Sequence, residues 1–184
     1  MKVAVGISGA SGAIYGIKLL EEFKRLNIET HLIISTWGAY TITEETGWTV
    51  DNVKKLAAFC YEEADMSACI SSGSFLLDAM VIAPCSMKKL ACIAAGYIDG
   101  LITRAADVCL KERRKLILLT RESPLSLIHI DNMHKAAAAG AVIMPPVPAF
   151  YIKPKTVNDL IDFTVVRIMD QLGILMESDK RWHG

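Results

Sequence analysis

The sequence predicts an α/β fold, a doubly wound and mainly parallel sheet with helices on both faces, in a single domain spanning residues 1–184. Three observations carry this. Short apolar runs alternate with longer stretches whose apolar residues recur at helical spacing, which is the pattern of repeated strand–helix units. The first run leads into Gly6-Ile7-Ser8-Gly9-Ala10-Ser11-Gly12, a loop of small residues between a strand and a helix. The chain of 184 residues is long enough for one well-buried core, and no linker, internal repeat or low-complexity tract divides it.

Taken in order, Lys2–Ser8 reads as an apolar strand. Ala13–Leu26 reads as a helix with Ile14, Ile17, Leu20 and Phe23 on one face. Glu29–Ile34 is the second strand. Trp37–Glu45 and Val50–Phe59 read as helices, and Ser71–Ser74 as a small-residue loop. Ala79–Ala83 is a strand ended by Pro84. Ser86–Ala95 is a helix opening on a good N-cap residue, and Leu101–Arg114 is another helix. Lys115–Leu119 is a strand, Asp131–Ala139 a helix closed by Gly140, and Ala141–Met144 a further strand. Pro145–Pro154 is an ordered loop or arm, and Val157–Leu172 is the last long helix.

Composition excludes several classes of function. Lys plus Arg equals Asp plus Glu, 20 each, so no basic excess points to nucleic acid or to an anionic membrane. The hydrophobic content of 52% and a mean hydropathy of +0.34 call for a large core or an extensive subunit interface. Pro or charge interrupts the apolar stretches before they reach membrane-spanning length, and the N-terminus lacks signal-peptide architecture. Five cysteines, odd in number and without a C-x-x-C pair, suit reduced thiols in a cytoplasm. No His, Cys or carboxylate cluster has metal-ligand spacing, and the four scattered histidines read as packing or surface residues.

The glycine loop is built to approach a phosphate at a helix N-terminus. It falls short of the dinucleotide fingerprint G-x-G-x-x-G, because Ile7 stands where the first glycine belongs. The second strand ends in Ser35-Thr36 rather than in the carboxylate that holds an NAD ribose. A tight strand–helix turn without a ligand is the competing reading of this loop. In a doubly wound sheet, ligands bind at the carboxyl ends of the strands. Here those ends are Ser8–Ser11, Ser35, Cys85-Ser86-Met87-Lys88 and Thr120-Arg121-Glu122, and all carry hydroxyls or charges. Arg121 and Glu122 together suit the positioning and protonation of a phosphate leaving group, or else form a surface ion pair. Arg167, flanked by Val165, Val166, Ile168 and Met169, needs an anionic partner or snorkels to solvent. Arg104, Asp107 and Lys111 share one helix face, which by itself reads as a solvated face. Cys85 has no basic neighbour in sequence and reads as a buried residue rather than a nucleophile. The loop also lacks the G-x-S-x-G elbow of a serine hydrolase.

The glycine loop, Pro84-Cys85-Ser86, Arg104-Ala105-Ala106-Asp107-Val108, Leu110-Lys111-Glu112-Arg113-Arg114, Arg121-Glu122-Ser123-Pro124 and Gly140-Ala141-Val142-Ile143-Met144-Pro145 occur in that order. Together they resemble the UbiX-type flavin prenyltransferases from Lys2 to Leu172, with a looser echo at Arg181-Trp182. The resemblance implies a Rossmann-like, FMN-binding, cytoplasmic homo-oligomer, a dodecamer. It implies metal-independent transfer of a dimethylallyl group from dimethylallyl phosphate to N5 and then C6 of reduced FMN. The product is the cofactor of a separate UbiD-type decarboxylase. By this resemblance Gly9, Ala10 and Ser11, Ser35, the segment Ser86, Met87, Lys88 and Lys89, Arg104 and Arg121 bind the flavin. Lys111, Arg121, Tyr151 and Arg167 hold the prenyl phosphate, Lys111 in some members from a neighbouring subunit. Glu122, Ser11 and Glu45 are assigned to catalysis. Lys89 departs from the threonine common at its position. The choice between a monophosphate and a diphosphate donor stays open, as does the pathway served. The rival activity is an FMN-dependent aromatic or peptidyl acid decarboxylase, for which Lys111, Tyr151 and Arg167 have no obvious task. A non-catalytic flavin carrier is the other.

Overall fold

The computed structural model describes residues 1–176, so the echo at Arg181-Trp182 lies outside the described residues. Six strands form one sheet: β1 (Lys2–Ile7), β2 (Glu29–Ile34), β3 (Phe59–Glu62), β4 (Ala79–Cys85), β5 (Lys115–Thr120) and β6 (Val142–Ile143). The spatial order is β3-β2-β1-β4-β5-β6 and every pairing is parallel. The helices are α1 (Ala13–Arg25), α2 (Thr36–Glu45), α3 (Val50–Lys54), α4 (Met87–Ala95), α5 (Leu101–Lys111), α6 (Leu127–Ala138) and α7 (Val157–Gln171).

Because side chains alternate along a strand, each central strand feeds two cores. Val3, Val5, Ile7, Val81, Ile117 and Leu119 pack under α1, α2, α3 and α7, with Ile17, Leu20 and Phe23 of α1 opposite them. Ala4, Met80, Ile82, Leu116 and Leu118 face the other way and meet Leu90, Ile102, Ala105 and Cys109 of α4 and α5. The chain therefore winds in opposite directions from β1 and β4. Their carboxyl ends form the switch point where such folds open a crevice.

Four sequence readings are corrected. Val50–Phe59 is not one helix: α3 ends at Lys54, and Phe59–Glu62 is the edge strand β3. Phe59 and Tyr61 stack on His31 of β2 at 5.0 and 5.9 Å between ring centres, a cross-strand packing invisible in a local pattern. Pro84 does not end its strand. It lacks an N–H, yet pairing resumes at Cys85–Thr120 after a register shift. The helix read as Asp131–Ala139 begins earlier, at Leu127, because Ser126 caps the His129 amide at 3.2 Å. Its first turn exposes Leu127 and Ile128, so no buried stripe announces it. Leu101–Arg114 ends at Lys111, where Arg113 takes a left-handed conformation.

Candidate active site

At the switch point Ser8 is fully buried and joins the two central loops. Its hydroxyl donates to the Pro84 carbonyl at 2.8 Å and accepts from the Ser86 amide at 2.8 Å. Around this pin lie the N-termini of α1, α2 and α4. Ser35 caps α2, its hydroxyl accepting from the Gly38 amide at 2.9 Å, and Ser86 caps α4 by accepting from the Lys89 amide at 3.3 Å. Gly12 precedes α1 with φ of 105°, a left-handed conformation that favours glycine, and has no side chain to cap the helix. Its amide donates to the Glu45 carboxylate at 2.7 Å. Gly9 presses against α2: an added Cβ would overlap Trp37 Cβ and lie 3.2 Å from Trp37 Cα.

A cavity of about 970 Å³ opens here, bounded by Gly9, Ser35 and Ser86, by Trp37 and Tyr61, and by the charged residues of its far wall. Lys88 and Lys89 line it as well. The lining suits an anion: the hydroxyl residues Ser35 and Ser86 stand at the N-termini of α2 and α4 beside Gly9 of the glycine loop, and Trp37 and Tyr61 offer rings for stacking. These residues fit a flavin mononucleotide: Gly9, Ser35 and Ser86 would hold its phosphate and the rings of Trp37 and Tyr61 would stack on its isoalloxazine.

The other sequence-derived candidates are not among the residues lining this cavity. Ala10 and Ser11 sit partly exposed in the glycine loop, and the Ala10 amide folds back on the Ser8 carbonyl at 2.9 Å. Met87 is half-buried against the core. Arg121 and Glu122 are exposed past the end of β5. The Arg121 amide donates to the Cys85 carbonyl at 3.2 Å, which keeps it beside the α4 loop, and the Glu122 carboxylate accepts from the Ser123 amide at 3.1 Å. Arg104 donates to the Ser71 carbonyl at 2.9 Å and pairs with Asp107 at 2.9 Å. Lys111 stands at the C-terminal end of α5, paired with Glu112 at 3.0 Å. Helices run antiparallel to the strands they follow, so Lys111 is at the opposite end of the sheet from this chain's cavity. Tyr151 meets Phe163 edge-on at 5.8 Å, and Arg167, one turn along α7 from Phe163, pairs with Asp170 at 2.9 Å. Arg167 is exposed rather than buried among its apolar neighbours, because they turn inward while it turns out.

Burial pushes the Cys85 thiol up to about 12, which fits a packing residue and not a nucleophile. The sequence reading missed Trp37, Tyr61, Glu63 and Asp99 as cavity residues. Recognising β3 would have placed Tyr61 and Glu63 at a strand's carboxyl end. Among the described residues no group of three or more His, Cys, Asp or Glu is placed to hold a metal ion, and no helix is long and apolar enough to cross a membrane.

A family model described as Flavoprotein matches residues 1–169. The chain belongs to the flavoprotein family. Within it, the chain groups with the UbiX-like flavin prenyltransferases. A probable UbiX-like flavin prenyltransferase of Bacillus subtilis (strain 168) is 50% identical over 184 residues, covering 100% of this chain and 90% of the relative. The crystal structure of AnUbiX (PadA1) in complex with FMN and dimethylallyl pyrophosphate superimposes with a TM-score of 0.96 at 50% identity, covering 100% of this chain and 97% of that one. A dodecameric FMN-dependent UbiX-like decarboxylase from Escherichia coli O157:H7 gives a TM-score of 0.98 at 49% identity, with 100% of both chains covered.

Proposed function

We propose that this flavoprotein is a flavin prenyltransferase that moves a dimethylallyl group from dimethylallyl phosphate to reduced FMN. One observation carries the reading. The switch-point cavity, with its capped helix N-termini and glycine loop, sits in a chain half identical over its full length to flavin prenyltransferases. Bound reduced FMN supplies the nucleophilic ring positions N5 and C6 that accept the C5 unit.

The chain's own residues then have three tasks. The glycine loop with Ser35 and the segment 86–89 hold the flavin, with Arg104 and Arg121 assigned beside them. Arg121, Tyr151 and Arg167 grip the prenyl phosphate, together with Lys111 of a neighbouring subunit. Cations on the leaving phosphate lower the barrier to ionisation, and Glu122 donates the proton that neutralises it. Trp37, Tyr61, Leu32 and Ile34 keep the cavity wall dry, which protects an allylic cation from water. Ser11 and Glu45 complete the catalytic set, Glu45 held beside the glycine loop by its bond to the Gly12 amide.

Lys111 stands at the far end of the sheet from this chain's cavity, which supports its serving the site of a neighbouring subunit. The exposed apolar side chains of Trp37, Leu127, Ile128 and Phe150 are consistent with the assembly, a homododecamer as in the E. coli O157:H7 neighbour. Residues 1–184 form one flavoprotein domain in the cytoplasm, and its product serves a UbiD-type decarboxylase.

The test is anaerobic incubation with reduced FMN and either dimethylallyl monophosphate or diphosphate, read by mass spectrometry. A gain of one C5 unit is expected, and Glu122→Gln retains FMN while slowing the gain by about 10²-fold or more. Parental rates in that variant remove Glu122 from the proton role. Carbon dioxide released from an aromatic acid, without a partner enzyme and without any C5 gain, replaces the whole reading with a decarboxylase.

A further inference from the structure

Lys89 is a charged side chain with only 5% exposure. Its ammonium is ion-paired with Glu63 and lies 2.8 Å from Asp99 Oδ1. Three segments lock this arrangement. The Glu63 carbonyl accepts from the Leu101 amide at 2.8 Å, which ties the loop after β3 to the start of α5. Asp99 Oδ1 accepts from the Thr103 hydroxyl at 3.0 Å, and Asp99 Oδ2 lies 3.3 Å from Lys88. Burial works against the Lys89 charge, but the two carboxylates overcome it and hold the group above its ordinary value, so the ammonium persists at neutral pH.

All three residues line the cavity that Gly9, Ser35 and Ser86 also line. The remaining charges on that wall are Lys54 and Glu62, which pair with each other at 3.3 Å at an exposed edge, and Lys88, whose side chain is 78% exposed. The enclosed part of the wall thus holds two carboxylates and one cation. Without that cation, a phosphate in the same cavity would face two anions through poorly solvated surroundings, where like charges repel strongly.

We infer that Lys89 is a specificity-determining residue for the phosphorylated flavin: it offsets part of the negative charge of the Glu63–Asp99 wall so that the cavity accepts FMN, without itself bonding the phosphate. This rests on the flavin reading above. The wall has no such bearing on riboflavin, which has the same ring and no phosphate.

Lys89→Met and Glu63→Gln break the same ion pair, and this separates charge from scaffolding. If the pair merely braces the fold, both variants shift affinity in one direction, and do so for both flavins. The charge role requires opposite signs. Flavin-fluorescence titration of the flavin-free protein at low salt should show FMN affinity falling by about tenfold or more in Lys89→Met and rising by about twofold or more in Glu63→Gln. Riboflavin affinity should stay within about twofold in both. If Lys89→Met does not fold, Glu63→Gln decides alone: tightening of FMN supports the inference and weakening overturns it. Equal losses for both flavins, or no change with FMN, also overturn it. A parent chain that binds neither flavin refutes the flavin reading itself, whereas a parent that binds FMN while both variants weaken it refutes only the charge assignment.

Discussion

Replacing Ser8 with alanine removes the pin between β1 and the α4 loop. Two bonds are lost, each 2.8 Å long: hydroxyl to Pro84 carbonyl, and Ser86 amide to hydroxyl. They are not equal. The Pro84 carbonyl keeps the Ser8 amide at 3.2 Å, so its loss costs about 0.5 kcal/mol. The Ser86 amide loses the acceptor that held it and is left partly buried, which costs about 1–2 kcal/mol. The sum is about 2 kcal/mol, and for a chain of this length that lowers Tm by about 4–8 °C. The methyl group left behind adds little cavity. Thermal or urea denaturation at one fixed protein concentration measures the loss, since self-association would otherwise shift the midpoint. Ser67→Ala, at an exposed hydroxyl bonded to Asp65 at 2.6 Å, is the control and should cost less than about 0.5 kcal/mol. A Ser8→Ala loss as small as the control's would refute the claim that Ser8 holds the switch point together.

Further outcomes concern the loop and the sheet edge. Gly9→Ala forces the glycine loop away from Trp37, so FMN affinity should fall by about tenfold or more while stability drops by about 1–3 kcal/mol, both read on the same sample. Burial of His31 pulls its pKa down, against the opposing pull of its bond to Glu29. The folded state then binds fewer protons than the unfolded chain, so this stability is present above the ordinary value of 6.5 and is lost as pH falls below it. The urea midpoint should therefore drop between about pH 7.5 and about pH 5.5, and His31→Phe should flatten that slope. An unchanged slope in the variant would assign the acid limb to other groups. Asp99 and Glu29, whose values are held below the ordinary carboxylate range, lose their contribution only at still lower pH.

The fold was legible wherever a strand is apolar on both faces. Val3–Ile7, Ala79–Ala83 and Leu116–Leu119 are continuous buried runs because helices cover both sides of a parallel sheet, and such runs stand out in any sequence. The strand Phe59–Glu62 was not legible, because an edge strand of four residues with no fully buried side chain has no buried stripe. The start of α6 was hidden for a similar reason, its first turn facing outward with Leu127 and Ile128. At the site, Gly9, Ser35 and Ser86 could be found from position alone, as small residues where apolar runs stop. Trp37, Tyr61, Glu63 and Asp99 could not, since their relevance depends on which loops meet across the sheet.

The order of the chain's segments determined the class of fold, the direction of each crossover and the end of the sheet where a ligand would sit, because these follow from short-range apolar pattern and from the stiffness of the strand–helix unit. Tertiary structure alone decided which charges share a wall. Lys89 meets Glu63 and Asp99 across 26 and 10 residues of chain, while Lys111 and Arg167 pair with carboxylates within a few positions. An ion pair is selected by distance in space and by the water excluded around it, and neither quantity is written into local sequence.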